Sequence, residues 1–230
     1  MESEEKKMKC NYDLICFNLS DYWKSIVLCD LDSNFLFEFQ KKLKKEISTK
    51  TIYPKKEFFW NCLSNFDTIQ DVDVVIIGQE PYHDGHAEGF CFETKKEPIP
   101  PSLKNIYKEI KDEFPNDKGI PSLKKPKVLL LNRILSVVSG KPASHSKLGW
   151  FELTDNLVSR ISTEGENVVF MLWGALAFKI YPLIDTKKHL VLMCGHPSPF
   201  SVKRFFGCNH FKLANEYLKS VGKKEIIWIH

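Results

Sequence analysis

The segment IIGQEPYHDGHAEGFCF, residues 76–92, concentrates side chains that can do chemistry. It leaves an apolar run, enters a turn, and places these side chains within ten positions: Gln79, Glu80, Tyr82, His83, His86 and Glu88. Carboxylates and imidazoles can stabilise charge or move protons near neutral pH, and they are also ordinary metal ligands. The segment therefore predicts either an acid–base centre or a metal centre.

Two more polar signals follow apolar runs elsewhere in the chain. The run KVLLLN ends at Asn132, and the run HLVLMCG leads into GHPSPF, which contains His196 and Ser198. Amide, imidazole and hydroxyl groups can bind a small ligand through directed hydrogen bonds. Gly, Pro, Asn and Ser also end strands in many proteins, so a purely structural turn remains the alternative.

Four short runs must position these groups: residues 73–78, 127–132, 167–174 and 189–195. Each run is apolar at consecutive positions, which is typical of strands buried on both faces. Helical patterns lie between and after them; Ser102 is the predicted cap of the first, and the others contain Thr154 and Phe211. This alternation predicts a parallel α/β sheet, in which ligands bind beyond the carboxyl ends of the strands. The three polar segments should therefore meet at one edge.

The composition limits the class of protein. The chain has 230 residues, 43% of them hydrophobic, which favours one domain with a sizeable core. The 33 Lys and Arg residues against 29 Asp and Glu give a formal charge of +4, which permits a polyanionic partner without requiring one. The 7 cysteines form no C-x-x-C pair, so we expect neither a disulfide framework nor a thiolate metal cluster, and we favour an intracellular, reducing compartment.

The first residues, MESEEKKMKC, carry charges of both signs and no apolar core. We therefore expect neither a signal peptide nor a membrane-spanning helix. We predict a charged, flexible segment over residues 1–22 and one folded domain over residues 23–230.

A series of motifs runs along the chain in this order: TIYPKKEFF, GQEPYH, GFCF, IPPSLKNIYKEI, VLLLN, SHSKLGW, MLWGALA, HPSPFS, FFGCNHF and GKKEIIW. Between Trp23 and Trp228 this series resembles family 1 uracil-DNA glycosylases. The resemblance implies one α/β domain with a central four-stranded parallel β-sheet flanked by helices. It also implies a monomeric DNA repair enzyme that flips uracil out of DNA and hydrolyses its N-glycosidic bond. Such an enzyme releases free uracil, leaves an abasic site and needs no cofactor or metal.

The resemblance assigns a uracil-binding role to four positions and a catalytic role to His196. Phe92 would stack on the base, and Asn132 would match N3–H and O4 with one acceptor and one donor. Tyr82 would stand where thymine carries its methyl group. His196 would hydrogen-bond O2 as negative charge develops there, and the Gln79 loop would add backbone donors. The structural alternatives are a packed aromatic for Phe92 or Tyr82 and an internally satisfied polar group for Asn132 or His196.

The resemblance also implies contacts to DNA outside the pocket. Ser102 and Ser198 would contact phosphates, with Lys203 and Arg204 nearby. Phe200 stands where many relatives have leucine, and it would wedge into the base stack unless it is buried in the core. The loop after it is one glycine shorter than the RGFFG of relatives.

Two further positions, Glu80 and Ala175, depart from the family pattern, and a third, His83, is expected to support the loop. Glu80 stands where the family usually has aspartate, the carboxylate that positions the attacking water and stabilises the cationic sugar. We expect Glu80 to be catalytic, with a loop adjusted to its extra methylene, because the spacing from His83 to Phe92 is one residue shorter than usual. His83 is expected to support that loop. Ala175 replaces a common serine, so one phosphate contact should be missing.

Two other functional classes remain open on the sequence. One is a metal-dependent hydrolase that uses these residues: His83, Asp84, His86 and Glu88. The other is a glycosylase-derived DNA-binding subunit with little catalysis. The expected partner is uracil-containing DNA, single- or double-stranded, and replication or repair proteins and DNA-mimicking inhibitor proteins are further candidates. The expected compartment is the nucleus or the cytoplasm, according to the source organism.

Overall fold

A computed structural model describes Tyr12 and residues 14–230. The helices are α1 (Asp21–Leu28), α2 (Ser33–Thr49), α3 (Pro101–Glu113), α4 (Trp150–Glu164), α5 (Ala175–Phe178) and α6 (His210–Ser220). The strands are β1 (Ile52–Tyr53), β2 (Val74–Gly78), β3 (Val128–Asn132), β4 (Val137–Val138), β5 (Val169–Trp173) and β6 (Leu190–Cys194). Short 3-10 turns occur in several of the connections.

The main sheet has four parallel strands in the order β3-β2-β5-β6, as the sequence predicts. A small antiparallel pair, β1 with β4, lies apart from it. Strands β2, β3 and β5 are buried throughout, whereas β6 is only partly covered and Met193 is 42% exposed. The expectation that all four strands are buried on both faces is therefore wrong for β6. Strand β3 also lies at an edge of the sheet and is buried throughout, so an apolar run does not reveal how completely other elements will cover an edge strand.

The helices pack apolar stripes against this sheet and share one hydrophobic core with it. The buried positions in α4 include Trp150, Leu153, Leu157 and Ile161, which show the three-and-four spacing of an amphipathic helix. The predicted cap of α3 is wrong. Pro100 occupies the N-cap and Pro101 the first helical position, which suits the fixed backbone angle of proline, so Ser102 already lies inside the helix.

The packed part of the chain begins before the predicted domain boundary at Trp23. Ile15, Cys16 and Leu19 are buried, and Trp60 Nε1 donates a hydrogen bond to the Ile15 carbonyl at 2.6 Å. The prediction of a flexible segment over residues 1–22 is thus wrong for this part, because its apolar side chains contribute to the core. Residues 1–11 and 13 lie outside the described residues. Among the described helices, none is both long and apolar enough to cross a membrane.

Candidate active site

The predicted meeting of polar segments at the carboxyl edge of the sheet is observed. In the register of β2 and β3, Gly78 lies beside Asn132. A Cβ atom on Gly78 would collide with Asn132 Oδ1 and lie 2.6 Å from the Cβ of Cys91. Only glycine therefore leaves room for the Asn132 side chain to lie across the end of β2.

Asn132 is buried, with 5% of its surface exposed. Its carboxamide forms no hydrogen bond with any other residue that the structure describes. Neither amide atom is fully enclosed, so the amide is accessible to a ligand, and a ligand with the complementary hydrogen-bonding pattern would meet no competing protein partner. The alternative of an asparagine satisfied by nearby backbone does not agree with this arrangement.

Phe92 forms part of an aromatic wall. Its ring centroid lies 5.4 Å from that of Trp173 and 5.5 Å from that of His196, and the rings are tilted. The Phe92 backbone has a φ of 59°, in the left-handed region that a phenylalanine seldom occupies. Tyr82 Oη donates a hydrogen bond to the Phe92 carbonyl at 2.8 Å, which joins the two halves of the segment. Burial raises the pKa of Tyr82, so its hydroxyl keeps its proton.

His196 is held as a neutral imidazole. The Ser198 backbone N–H donates to its Nδ1 at 3.0 Å, so the ring proton is on Nε2. Burial lowers the pKa of His196, which disfavours a second proton. Ser201 Oγ donates to the His196 carbonyl at 2.7 Å and lies 3.1 Å from Ser198 Oγ. His196 can therefore offer a hydrogen bond from Nε2 to a substrate oxygen. Tyr82, Phe92, Asn132 and His196 are called the pocket side chains below.

Glu80 is held by a backbone group from another part of the chain. The Ala143 N–H donates to both carboxylate oxygens, at 3.0 Å to Oε1 and 2.9 Å to Oε2. Burial raises the pKa of Glu80, while the Ala143 N–H and nearby His83 act in the opposite direction. The carboxylate is thus partly desolvated and fixed in place.

Residues 139–145, which we call the brace, contain Ala143 and also support the loop around Glu80 through its backbone at His83. The Gly140 N–H donates to the His83 carbonyl at 2.8 Å. Just ahead of the brace, the Ile134 N–H donates to the Gln79 carbonyl at 3.0 Å. Backbone groups from outside the loop therefore hold Gln79 and His83, whereas the His83 side chain leaves a buried Nδ1 without a partner among the described residues.

A buried polar network fixes the end of the brace. Trp150 Nε1 donates to Ser136 Oγ at 2.7 Å, which leaves the serine proton for His145 Nδ1, also at 2.7 Å. His145 Nε2 then faces Glu46 Oε2 at 3.3 Å. The network ties the brace to α2 and α4.

The four side chains of the metal hypothesis do not come together as one group of potential ligands. His86 Nδ1 lies 2.8 Å from Asp84 Oδ1, whereas Glu88 Oε2 accepts the Lys95 N–H at 3.0 Å. His83 accepts the Gly140 N–H through its backbone carbonyl. Within the described chain, the groups with metal-ligand spacing lie elsewhere: Cys194, Cys208 and His210, and Glu109, Glu113 and Cys208.

Those two groups have structural partners of their own. His210 Nδ1 accepts the Trp173 Nε1–H at 3.0 Å. The carboxylates of Glu109 and Glu113 accept backbone N–H groups around the start of α6, from Gly207 at 2.9 Å and Lys212 at 2.7 Å. Carboxylates at a helix N-terminus stabilise its unpaired amides and its dipole.

The residues predicted to contact DNA lie outside the pocket and are more exposed. We call residues 197–207 the exposed loop. Phe200 is fully exposed at its tip, so the alternative of a buried Phe200 is wrong. Lys203 and Arg204 are also exposed, and neither forms an ion pair with another described residue.

Ser102 lies in the first turn of α3, and this helix is joined to the exposed loop. The Asn105 side chain in α3 donates to the Pro197 carbonyl at 2.8 Å. Ser198 is partly buried within the loop. Ala175 begins α5 directly after Gly174, whose φ of 89° suits glycine.

The sequence reasoning missed three contributors to this site. Trp173 lies in the MLWGALA motif at the end of a predicted strand, and Ser201 is the last residue of the HPSPFS motif. These two motifs could therefore have indicated that both residues belong to the site. Ala143 gave no signal, because it acts through its backbone N–H.

The comparisons with known proteins identify the family of this chain. A family model described as UDG, the uracil DNA glycosylase superfamily, matches residues 65–219. A uracil-DNA glycosylase of Campylobacter jejuni is 40% identical over 230 residues, which cover 97% of this chain and 98% of that protein. One of Fusobacterium nucleatum is 39% identical over 217 residues, covering 91% of this chain and 96% of that protein.

Solved structures show the same fold. The crystal structure of mimivirus uracil-DNA glycosylase has a TM-score of 0.72 and 25% identity, and the match covers 95% of this chain and 98% of that one. A variant mimivirus UNG in complex with UGI has a TM-score of 0.84 and 24% identity, with 97% and 92% of the two chains covered.

Proposed function

The chain belongs to the uracil DNA glycosylase superfamily, and we infer that it is a DNA repair enzyme that excises uracil from DNA. It hydrolyses the N-glycosidic bond between uracil and deoxyribose, releases free uracil and leaves an abasic site. The observation that carries this conclusion at the level of the site is the Asn132 carboxamide, which has no protein partner although the residue is largely buried.

We propose that Asn132 recognises uracil by its hydrogen-bonding edge. The amide oxygen would accept from N3–H and the amide nitrogen would donate to O4. Cytosine presents the reverse pattern and would leave buried polar groups unpaired, which can reduce the rate by about 10⁴-fold. Gly78, which has no Cβ, gives the side chain the room that this orientation needs.

The aromatic pocket side chains would select the base by shape. Phe92 would stack on the extruded uracil, an interaction of about 1–3 kcal/mol that offsets part of the cost of flipping. Its ring is supported by Trp173, so its orientation is fixed before the base arrives. Tyr82, held by its hydrogen bond to Phe92, would occupy the space of the thymine methyl group.

His196 and Glu80 would stabilise the two opposite charges that develop as the glycosidic bond breaks. Uracil leaves as an anion, and the neutral His196 would donate from Nε2 to O2, where that negative charge accumulates. The sugar becomes cationic as the bond lengthens, and the Glu80 carboxylate would stabilise it and orient the attacking water. The Gln79 loop would add backbone donors at O2.

Outside the pocket, the DNA backbone and stack would be bound by the more exposed groups. Ser102 and Ser198 would contact phosphates around the flipped nucleotide, and Lys203 and Arg204 would add electrostatic attraction. Phe200 would fill the space that the flipped nucleotide leaves.

Uracil-containing DNA is the partner of this enzyme. Because variants of mimivirus UNG, which share this fold, are described in complex with UGI, we propose UGI as a further partner of this chain. We further propose that the protein acts in an intracellular, reducing compartment, since the six cysteines among the described residues are all free thiols.

A direct test is release of free uracil by the purified chain. Single- and double-stranded oligonucleotides with one uracil would be compared with the same oligonucleotides carrying thymine, each with and without a strong chelator. We expect uracil release from both substrates, no thymine release, and no loss of rate with chelator. DNA binding without release would instead support the noncatalytic subunit, and loss with chelator would support the metal hydrolase.

A further inference from the structure

The longer carboxylate at position 80 is accompanied by an unusual backbone conformation in the brace. Ala143 has a φ of 58°, in the left-handed region that is unfavourable for a residue with a Cβ. It follows Pro142, which has no N–H, so the Ala143 amide is the first donor after the proline. This amide is the group that binds both oxygens of Glu80.

The rest of the brace fixes the direction of that amide. The Ser139 N–H donates to the Thr51 carbonyl at 2.9 Å, and the Gly140 N–H donates to the His83 carbonyl. Beyond Ala143, Ser144 Oγ accepts the Val138 N–H at 2.9 Å. Hydrogen bonds therefore fix the backbone before and after Ala143. They direct the Ala143 N–H toward Glu80 independently of the Glu80 contact itself.

The reach of the side chain matters for this contact. An aspartate at position 80 would end one carbon–carbon bond earlier, about 1.5 Å shorter. Starting from the observed N···O distances of 2.9 and 3.0 Å, that retreat leaves the carboxylate outside hydrogen-bond range unless the loop moves. Glutamate and the left-handed Ala143 are thus geometrically matched.

We propose that the Ala143 N–H is a positioning group for catalysis, which holds the Glu80 carboxylate ionised and in place beside the sugar of the flipped nucleotide. The proposal rests on the catalytic role proposed above for Glu80. A hydrogen bond to the charged form favours ionisation, and it opposes the effect of burial. Fixing the carboxylate matters as well, because a displacement of about 1 Å in an active site can cost about 10²-fold in rate.

The backbone donor can be removed without changing the side chain. Ala143→lactic acid, introduced as a single backbone ester in the full chain, replaces the N–H by an oxygen. We expect the single-turnover rate of uracil release to fall at least about tenfold at neutral pH. Because the lost N–H stabilised the ionised carboxylate, the acid limb of the pH–rate profile should move to higher pH. Ala143→Gly keeps the donor and permits the same φ, so its rate should fall much less than that of the ester and its acid limb should not move.

A double-mutant cycle separates positioning from general damage to the loop. Glu80→Asp alone should be slower than the unmodified chain, and adding the ester at position 143 to Glu80→Asp should cause little further loss, because the shorter carboxylate does not use the donor. Binding to uracil-containing DNA and the unfolding midpoint would be measured for each variant. If Glu80→Asp does not fold, the comparison between the ester at position 143 and Ala143→Gly decides whether the Ala143 N–H is needed.

Two results would overturn the proposal. One is an ester variant with an unchanged rate and an unchanged acid limb. The other is a pair of losses that simply add, which would mean that the donor acts through something other than Glu80. If the unmodified chain released no uracil at all, the proposed function would fail instead, so the two failures are distinguishable.

Discussion

The pocket side chains and the exposed loop differ in how much of their environment the protein itself provides. Phe92, Asn132 and His196 are buried or mostly buried, and their neighbours fix ring orientation or ring tautomer. Phe200, Lys203 and Arg204 project into solvent. The pocket side chains are therefore held in place by the protein itself, whereas the exposed loop is open to contacts with a partner, which we propose is DNA.

This difference predicts two kinds of mutational effect. A pocket change should alter the chemical step on single-stranded and duplex DNA alike, because the flipped base meets the same groups in both cases. A change in the exposed loop should depend on the form of the DNA, because only a duplex resists extrusion with a paired and stacked base.

The largest effect is expected for Glu80→Gln. The amide keeps the shape but removes the charge that stabilises the cationic sugar, so the single-turnover rate should fall by at least about 10² on both DNA forms. Binding of uracil-containing DNA should stay nearly unchanged, since the charge matters mainly in the transition state. Glu88→Gln, in the same loop, is the control and should keep its rate within a few-fold. A Glu80→Gln variant with normal turnover would exclude the catalytic role.

The next effect is expected for Asn132→Asp. An ionised carboxylate offers acceptors only, so the donor to uracil O4 is lost and uracil release should fall by about 10² on both substrates. The same change provides an acceptor for the cytosine amino group, and slow cytosine release should become measurable. Asn116→Asp, on the exposed surface after α3, is the matched control. Unchanged base preference would mean that Asn132 does not read the base.

A smaller, substrate-dependent effect is expected for Phe200→Ala. Without the wedge, uracil release from duplex DNA should fall by about tenfold, while release from single strands should change less than about twofold. Phe206→Ala is the control, because Phe206 lies in the same loop but rests against Lys108, whose Nζ lies 5.2 Å from the ring centroid. Equal losses on the two substrates would place Phe200 outside the DNA stack.

The smallest effect concerns salt. With few basic residues near the flipped nucleotide, the log–log slope of DNA affinity against salt should be only about −2 to −4, at roughly 0.9 per phosphate contact. Lys203→Ala and Arg204→Ala should each reduce the slope by about 0.9, and Lys41→Ala in α2 should leave it unchanged. Fluorescence titrations across a salt series would measure this, and a flat response of the unmodified chain would contradict DNA binding through these groups.

The sequence predicted the sheet and its functional edge because these depend on strong local patterns. Consecutive apolar residues identified all four strands, and the polar residues that follow them identified the edge. The burial of β6 was mispredicted, since an apolar run is similar in a covered edge strand such as β3 and in a partly exposed one. The cap at Ser102 was mispredicted because two prolines already define the start of α3.

The support of Glu80 could not be predicted for a different reason. Its partner is a backbone N–H that lies 63 positions away along the chain. Every residue except proline has such a donor, so no residue type marks the one that is used. The left-handed conformation of Ala143 also gives no sequence signal, because glycine or asparagine is the usual residue there.

The long-range support of the catalytic edge has a consequence for how the protein folds. The Glu80 loop is fixed by Ala143, and α3 is tied to the exposed loop by a contact spanning 92 positions. Contacts of high sequence separation require a large loss of chain entropy before they form. A nascent chain that has emerged only as far as β3 therefore has its Glu80 loop without the brace. We expect the ability to excise uracil to appear late in synthesis, after the strands of the sheet have paired.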